Sequence, residues 1–160
     1  NPRGPARHDP DYWVERFQVR RFDVDGRLQH TLVAERLQHH PDDDTSVVSA
    51  PRLTYHQVPP TQVSANMAYI GRDGKEVDLV GDVRVVRQAR EAGGAPTVMA
   101  TRMLKTFPDD ERGYSNDPVV ITQGRSVLNG TGLQVDNRTG VTVLRGRVTG
   151  TLHRNQGNTP

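Results

Sequence analysis

The chain has no cysteine among its 160 residues. Disulfides and thiolate-held zinc are therefore excluded, and the sequence is compatible with oxidising and reducing compartments alike. Long hydrophobic runs are missing too: nothing approaches the ~18 consecutive apolar residues of a membrane-spanning helix. Aromatic residues supply only 5% of the chain and hydrophobic residues of all kinds 33%. Either the core is thin and open, or an ordinary core lies beneath a polar surface and long loops. Nor does one sign of charge dominate. With 21 Lys and Arg interspersed among 19 Asp and Glu, no basic stripe calls for nucleic acid. The length fits one domain.

What is present is alternation. Leu28, His30, Leu32 and Ala34 share one parity; Val63, Ala65, Met67 and Tyr69 share another run; so do Val77, Leu79, Gly81, Val83 and Val85, and later Leu144, Gly146, Val148 and Leu152. A period of two reads as half-buried strand. Turn signals separate the runs at Asp25-Gly26, Pro59-Pro60, Asp73-Gly74, Gly93-Gly94, Asp109-Asp110 and Thr139-Gly140. In the first strand, Trp13 to Asp23, Trp13, Phe17 and Val19 lie on one face and Phe22 and Val24 on the other, which places a bulge near Arg20-Arg21. The spacing predicts an all-β chain of about nine antiparallel strands, because the connections are too short for parallel crossovers.

The chain also half-repeats itself. Ala34, Arg36, Pro41, Asp42 and Pro51 recur as Ala100, Arg102, Pro108, Asp109 and Pro118, and Leu79, Gly81 and Val83 recur as Leu144, Gly146 and Val148. Two stacked copies of one strand–turn–strand unit make a surface more readily than a reaction centre.

Catalytic signatures are absent. No serine sits in a nucleophile elbow, and no His-Glu-x-x-His pair or phosphate-cradling glycine loop occurs. His39-His40 before Asp42-Asp43-Asp44 is the one cluster of metal-ligand types. Adjacent histidines on a strand point to opposite faces, and the second copy keeps the turn while dropping both, so a polar hairpin is expected there and no metal site. Asp42 to Asp44 and Asp109 to Glu111 are expected at equivalent exposed loop tips without a cleft.

Taken in order, several motifs carry a family resemblance: Pro10-Asp11-Tyr12 with Phe17, Asp23 with Gly26 and Leu28, Leu32-Val33-Ala34 with Leu37, His40-Pro41-Asp42-Asp43, Ser64-Ala65-Asn66, Leu79-Val80-Gly81-Asp82-Val83, Pro118 to Gly124, and Gly130 to Leu133. The run from about Pro10 to about Arg154 resembles the LptC family of lipopolysaccharide-export proteins. The resemblance implies an open antiparallel β-jellyroll of the OstA-like type, built here from the two related strand repeats, over residues 11–154. Residues 1–10 are expected to be a linker following a membrane helix that the chain lacks, and residues 155–160 a disordered tail.

It further implies a non-enzymatic component without cofactor. Such a component stands in the periplasm of a Gram-negative bacterium, anchored to the inner membrane by an N-terminal helix. It takes lipopolysaccharide from an inner-membrane ABC transporter by its acyl chains and passes it to a periplasmic bridge protein of the same fold; homodimerisation stays open. The inward parity assigns Phe17, Val19, Leu32, Ala34, Val63, Ala65, Met67, Leu79, Val83, Val85, Leu104, Leu133 and Val148 to the apolar faces, some lining the trough and others packing. Partner docking is assigned to the N-terminal edge with Trp13, Arg20 and Arg21. The other docking edge is a C-terminal strand, Thr139 to Leu152, with Val143, Arg145, Arg147 and Thr149. The alternative is a structural or adhesive β-sandwich with a closed core.

Overall fold

The computed structural model describes residues 9–153; apart from Asp9 and Pro10, the expected linker and tail lie outside them. Among these residues the only helical element is a 3-10 turn at Pro108–Asp110. Everything else that is regular is strand: β1 (Tyr12–Phe22), β2 (Leu28–His40), β3 (Thr45–Ser49), β4 (Arg52–Tyr55), β5 (Thr61–Ser64), β6 (Met67–Ile70), β7 (Val77–Arg87), β8 (Thr97–Phe107), β9 (Arg112–Gln123), β10 (Ser126–Asp136), β11 (Val141–Leu144) and β12 (Thr149–Thr151). The pairs β3–β4, β5–β6 and β11–β12 are single strands broken in the middle. The chain therefore makes nine antiparallel passes, each beside the next. The turns fall where Asp-Gly and Gly-Gly sit: Asp23 accepts from the backbone N–H of Asp25 and Arg27 through Oδ1, and Asp73 from that of Lys75.

The breaks line up across the sheet. Arg16 stands at φ 46 in β1, Ala50 at φ 51 between β3 and β4, Gly81 and Asp82 at φ 84 and 45 in β7, Gly132 at φ 103 in β10 and Gly146 at φ 80 between β11 and β12. The β7–β8, β8–β9 and β9–β10 ladders shift register along the same line. This row of bulges is a crease that folds the sheet over on itself. One half-sheet contains residues 28–33, 52–55, 61–64 and 83–87; the other contains 36–40, 45–49, 67–70 and 77–80. Backbone groups freed at the crease find partners there. Ala50 N–H donates to Asn66 O at 2.8 Å, Asn66 N–H to Gly81 O at 2.8 Å, and Arg145 N–H to Gly132 O at 3.0 Å. The buried Thr101 hydroxyl donates to Pro118 O at 3.1 Å and lies 3.2 Å from Ser115 Oγ, so these two hydroxyls are satisfied although out of reach of water.

The apolar faces of the two halves pack together close to the crease, with Ala34, Val48, Val83, Val119 and Leu133 at most 3% exposed. The repeat is real in three dimensions. The Pro41 and Pro108 turns each join the first two passes of a four-pass unit, and Gly81 and Gly146 each mark the crease in its last pass. Leu79 is buried and Leu144 packs against the same core, as their shared parity requires.

Three sequence readings are corrected. The run Val63, Ala65, Met67, Tyr69 does not keep one face, because the crease at Asn66 adds a residue out of the ladder. Ala68 is then buried, Tyr69 is 46% exposed, and Met67 pairs with Val80, on the outer face. The C-terminal strand is not continuous: β11 pairs with Leu133–Asp136 and β12 with Val127–Asn129, and Arg145 to Val148 run between them outside any ladder. Val148 consequently faces solvent, 46% exposed. Besides Arg16 at the crease, β1 has its register shift between Arg21 and Phe22, beside the expected position.

One side-chain cluster ties β1 to its neighbours. His39 Nδ1 lies 2.8 Å from Asp11 and Nε2 2.7 Å from Asp44, and Tyr12 stacks on the ring at 4.8 Å. Bonds to the Asp44 and Asp11 carboxylates raise the imidazole pKa above 6.5, and the bond from His39 lowers that of Asp11 below 3.8. Because the folded imidazole pKa is raised, its contribution is complete below 6.5 and is lost as pH rises through the higher folded value. The lowered Asp11 contribution is present above 3.8 and is lost as pH falls through the lowered folded value. Amide exchange should therefore show the start of β1 best protected between those limits and opening more readily toward pH 9. In His39→Gln that alkaline dependence should vanish.

Crease geometry gives a second expectation. At Gly81 a Cβ would meet Asn66 Nδ2 at 2.7 Å, whereas at Gly74, also at positive φ, it would meet nothing within 4 Å. Gly74→Ala should cost about 1–2 kcal/mol, the left-handed strain alone, and Gly81→Ala distinctly more, both measured by urea unfolding.

Candidate functional site

Away from the crease the half-sheets diverge and leave between them a partly open apolar cavity of about 220 Å³. One wall presents Leu32, Leu53, Val63 and Val85, the other Val48, Ala68, Ile70, Leu79 and Leu104, with Val19 of β1 and Val135 of β10 at its sides. Alternation dictates this lining. Cross-strand partners share a face, and the pairs Leu32–Leu53, Leu53–Val63 and Val63–Val85 form one inward row, with Ala68–Leu79 and Leu79–Leu104 forming the facing one.

Polar groups gather at the rim. His30 meets Tyr55 edge to face at 5.7 Å, and Thr106, Glu111, Arg112 and Asn137 complete the lining. Burial, followed by the Arg21 charge, lowers the His30 pKa, so its imidazole is neutral at pH 7. Burial pushes the Tyr55 hydroxyl up to about 12 and keeps it protonated. The interior wall is thus uncharged, with ionised groups only at the mouth. Glu111 departs from the expected exposed loop tip: its left-handed conformation, φ 52, ends the 3-10 turn and brings it to this rim.

Of the residues assigned to the apolar faces, Val19, Leu32, Val63, Leu79, Val85 and Leu104 line the cavity. Ala34, Val83 and Leu133 belong to the packed core, and Phe17 and Ala65 lean on it partly buried; Met67 and Val148 lie outside, as described. Leu53, Tyr55, Ala68, Ile70 and Val135 were missed, although the same parity, restarted after Asn66 for Ala68 and Ile70, would have found them. His39 takes one carboxylate on each ring nitrogen, while His40 is buried, the opposite orientation expected of neighbours on a strand. Among the described residues no three His, Asp or Glu side chains converge to hold a metal ion.

The sheet does not close. β1 pairs only with β2, and β11 and β12 pair only with β10, leaving one strand edge open at each end. Trp13, Arg20 and Arg21 are exposed on the first, with the Arg36 guanidinium 5.6 Å from the Trp13 ring centroid. Val143 and Thr149 stand on the second, and Arg145 and Arg147 in the connection between its two segments. No helix of the described residues is long and apolar enough to cross a membrane.

A comparison with curated proteins finds no match. Among solved structures the chain resembles the crystal structure of LptH, the LptA homologous periplasmic component of the conserved lipopolysaccharide transport device from Pseudomonas aeruginosa. The TM-score is 0.59 at 13% identity, covering 78% of this chain and 95% of that one; this likeness establishes the jellyroll fold. The family model described as "Lipopolysaccharide-assembly, LptC-related" matches residues 1–153. With that match spanning nearly its whole length, the chain belongs to the LptC-related family of lipopolysaccharide-assembly proteins.

Proposed function

We propose that this lipopolysaccharide-transport component is a carrier. It takes lipopolysaccharide from an inner-membrane ABC transporter, shelters the acyl chains between its half-sheets, and passes them to a periplasmic bridge protein of the same fold. The observation that carries the reading is the apolar, uncharged cavity between two half-sheets whose outer strands are unpaired. Moving hydrocarbon out of water is worth about 0.8 kcal/mol per CH₂, so sheltering acyl chains needs an aliphatic wall and no acid, base or metal. Family membership supports a periplasmic setting, and the proposal has an N-terminal helix hold the domain to the inner membrane. Docking is by strand addition, in which main-chain hydrogen bonds supply the affinity: the β1 edge serves the transporter and the β11 edge the bridge protein. Self-pairing of two copies through the same edges would compete with both.

A photo-crosslinking residue separates the carrier from a closed adhesive sandwich. Placed at Leu32, on the cavity wall, it should label lipopolysaccharide; placed at Val33, 45% exposed on the outer face, it should not. Val63→Gln should weaken lipid retention while the domain stays folded. Leu133→Asp, at a fully buried position, should unfold it at a cost of several kcal/mol. Equal labelling from Leu32 and Val33 would count against the carrier.

The edge is tested on β11. Arg147 lies outside the ladder, so proline there does not interrogate it. Arg145 N–H points to β10, and alternation then turns the N–H of Thr142 outward. Thr142→Pro should abolish capture of the bridge protein and leave lipid loading intact, whereas Thr142→Ala should reduce capture only slightly, both read by pull-down with purified partner.

A further inference from the structure

The cavity mouth is fastened by side chains. Gln57, in the loop between β4 and β5, and Asn137, in the turn between β10 and β11, face each other across 80 residues of chain. Gln57 Nε2 donates to Asn137 Oδ1 at 3.0 Å, and Asn137 Nδ2 donates back to Gln57 Oε1 at 3.2 Å. Both partners are held in place. Gln57 also donates to Thr61 Oγ1 at 3.3 Å, and Asn137 N–H donates to Glu111 O at 2.9 Å. Next to this pair, Arg87 Nη1 donates to Gly140 O at 3.1 Å. Gln57 and Arg87 belong to the free end of one half-sheet, Asn137 and Gly140 to the free end of the other. The crease lies at the opposite side, so these bonds join the two leaves where they would part.

The cavity, about 220 Å³ and partly open, is smaller than the ~300–1,000 Å³ of ordinary pockets for drug-sized ligands. That volume does not shelter several acyl chains whole while the leaves are joined. We infer that the Gln57–Asn137 amide pair is a latch on the mouth, and that loading requires it to open so that the half-sheets swing apart about the crease. This rests on the carrier reading and adds the step that controls it. The chemistry suits a latch: two neutral hydrogen bonds exchange with water at little net cost. Arg87, bonded to the Gly140 carbonyl, adds a second, solvent-exposed tie.

The cysteine-free chain makes the test clean. In the full chain carrying Gln57→Cys and Asn137→Cys, a short bifunctional methanethiosulfonate bridges the two positions and a reductant releases them. A monofunctional reagent of the same chemistry controls for modification alone, and an unchanged far-ultraviolet strand spectrum for folding. The bridged form should retain about a tenth or less of the lipopolysaccharide loaded by the monofunctionally modified form, because only the open population binds, and reduction should restore loading. Separately, Gln57→Ala should speed loading by about three- to tenfold. If the bridged protein loads as fast as the singly modified one, or Gln57→Ala leaves the rate unchanged, the latch is overturned. If no form, wild type included, takes up lipopolysaccharide, the carrier reading itself fails, and the latch with it.

Discussion

Every pass of the sheet must change direction at the crease while its side chains keep pointing the right way. A strand that bends must still turn its apolar set inward on both sides of the bend. The chain meets this constraint in two ways. β7 and β10 stay continuous by placing a residue at positive φ, at Gly81 and Gly132, so that Leu79 and Val83, on opposite sides of the bend, are both buried. The passes through Ala50, Asn66 and Gly146 break instead, and their freed backbone groups pair with the crease residues of the neighbouring pass. The core along the crease, the cavity beyond it and the mouth opposite all follow from that single line of irregularities.

The same constraint explains what was legible in the sequence. Strands, hairpin turns and the repeat are local properties, and Asp25-Gly26, Asp73-Gly74 and the Pro41 and Pro108 turns announce them. The crease is not local. Nothing in Ser64-Ala65-Asn66-Met67 marks a parity change by itself; the change comes from the neighbouring passes, which offer Asn66 the carbonyl of Gly81 in place of a ladder partner. The interruption at Arg145 to Val148 was hidden likewise, since the alternation of Leu144, Gly146 and Val148 reads as an unbroken strand. Resemblance to a family ordered these elements into a jellyroll, a step that periodicity alone does not take.

Inward parity was equally unable to separate core from cavity. Val83 and Leu133 face the same way as Leu32 and Val63, and the residue types do not differ. Their fates differ by distance from the crease: near it the leaves touch, and farther out they diverge and leave room. The polar rim was the least legible part. His30 and Tyr55 are cross-strand partners in β2 and β4, but Glu111 joins them at the rim only because the sheet folds over, and Gln57 and Asn137 carry no signal as single residues.

Under the proposed carrier function, the molecule faces a conflict between holding an apolar surface out of water and exposing it on demand. An apolar seam along the mouth would resist opening by about 25 cal/mol for each Å² exposed. An amide seam does not, because water replaces the partners of Gln57 and Asn137 as they separate. The uncharged wall serves the same end from the other side: with His30 neutral and Tyr55 protonated, an entering hydrocarbon strands no buried charge without its counter-ion. The crease, where Thr101 and Ser115 are satisfied internally and Val83 and Leu133 are fully buried, has no such exchange available and stays shut. Solvent-replaceable bonds on one side of the molecule and irreplaceable packing on the other are what let a single folded sheet act as a hinge.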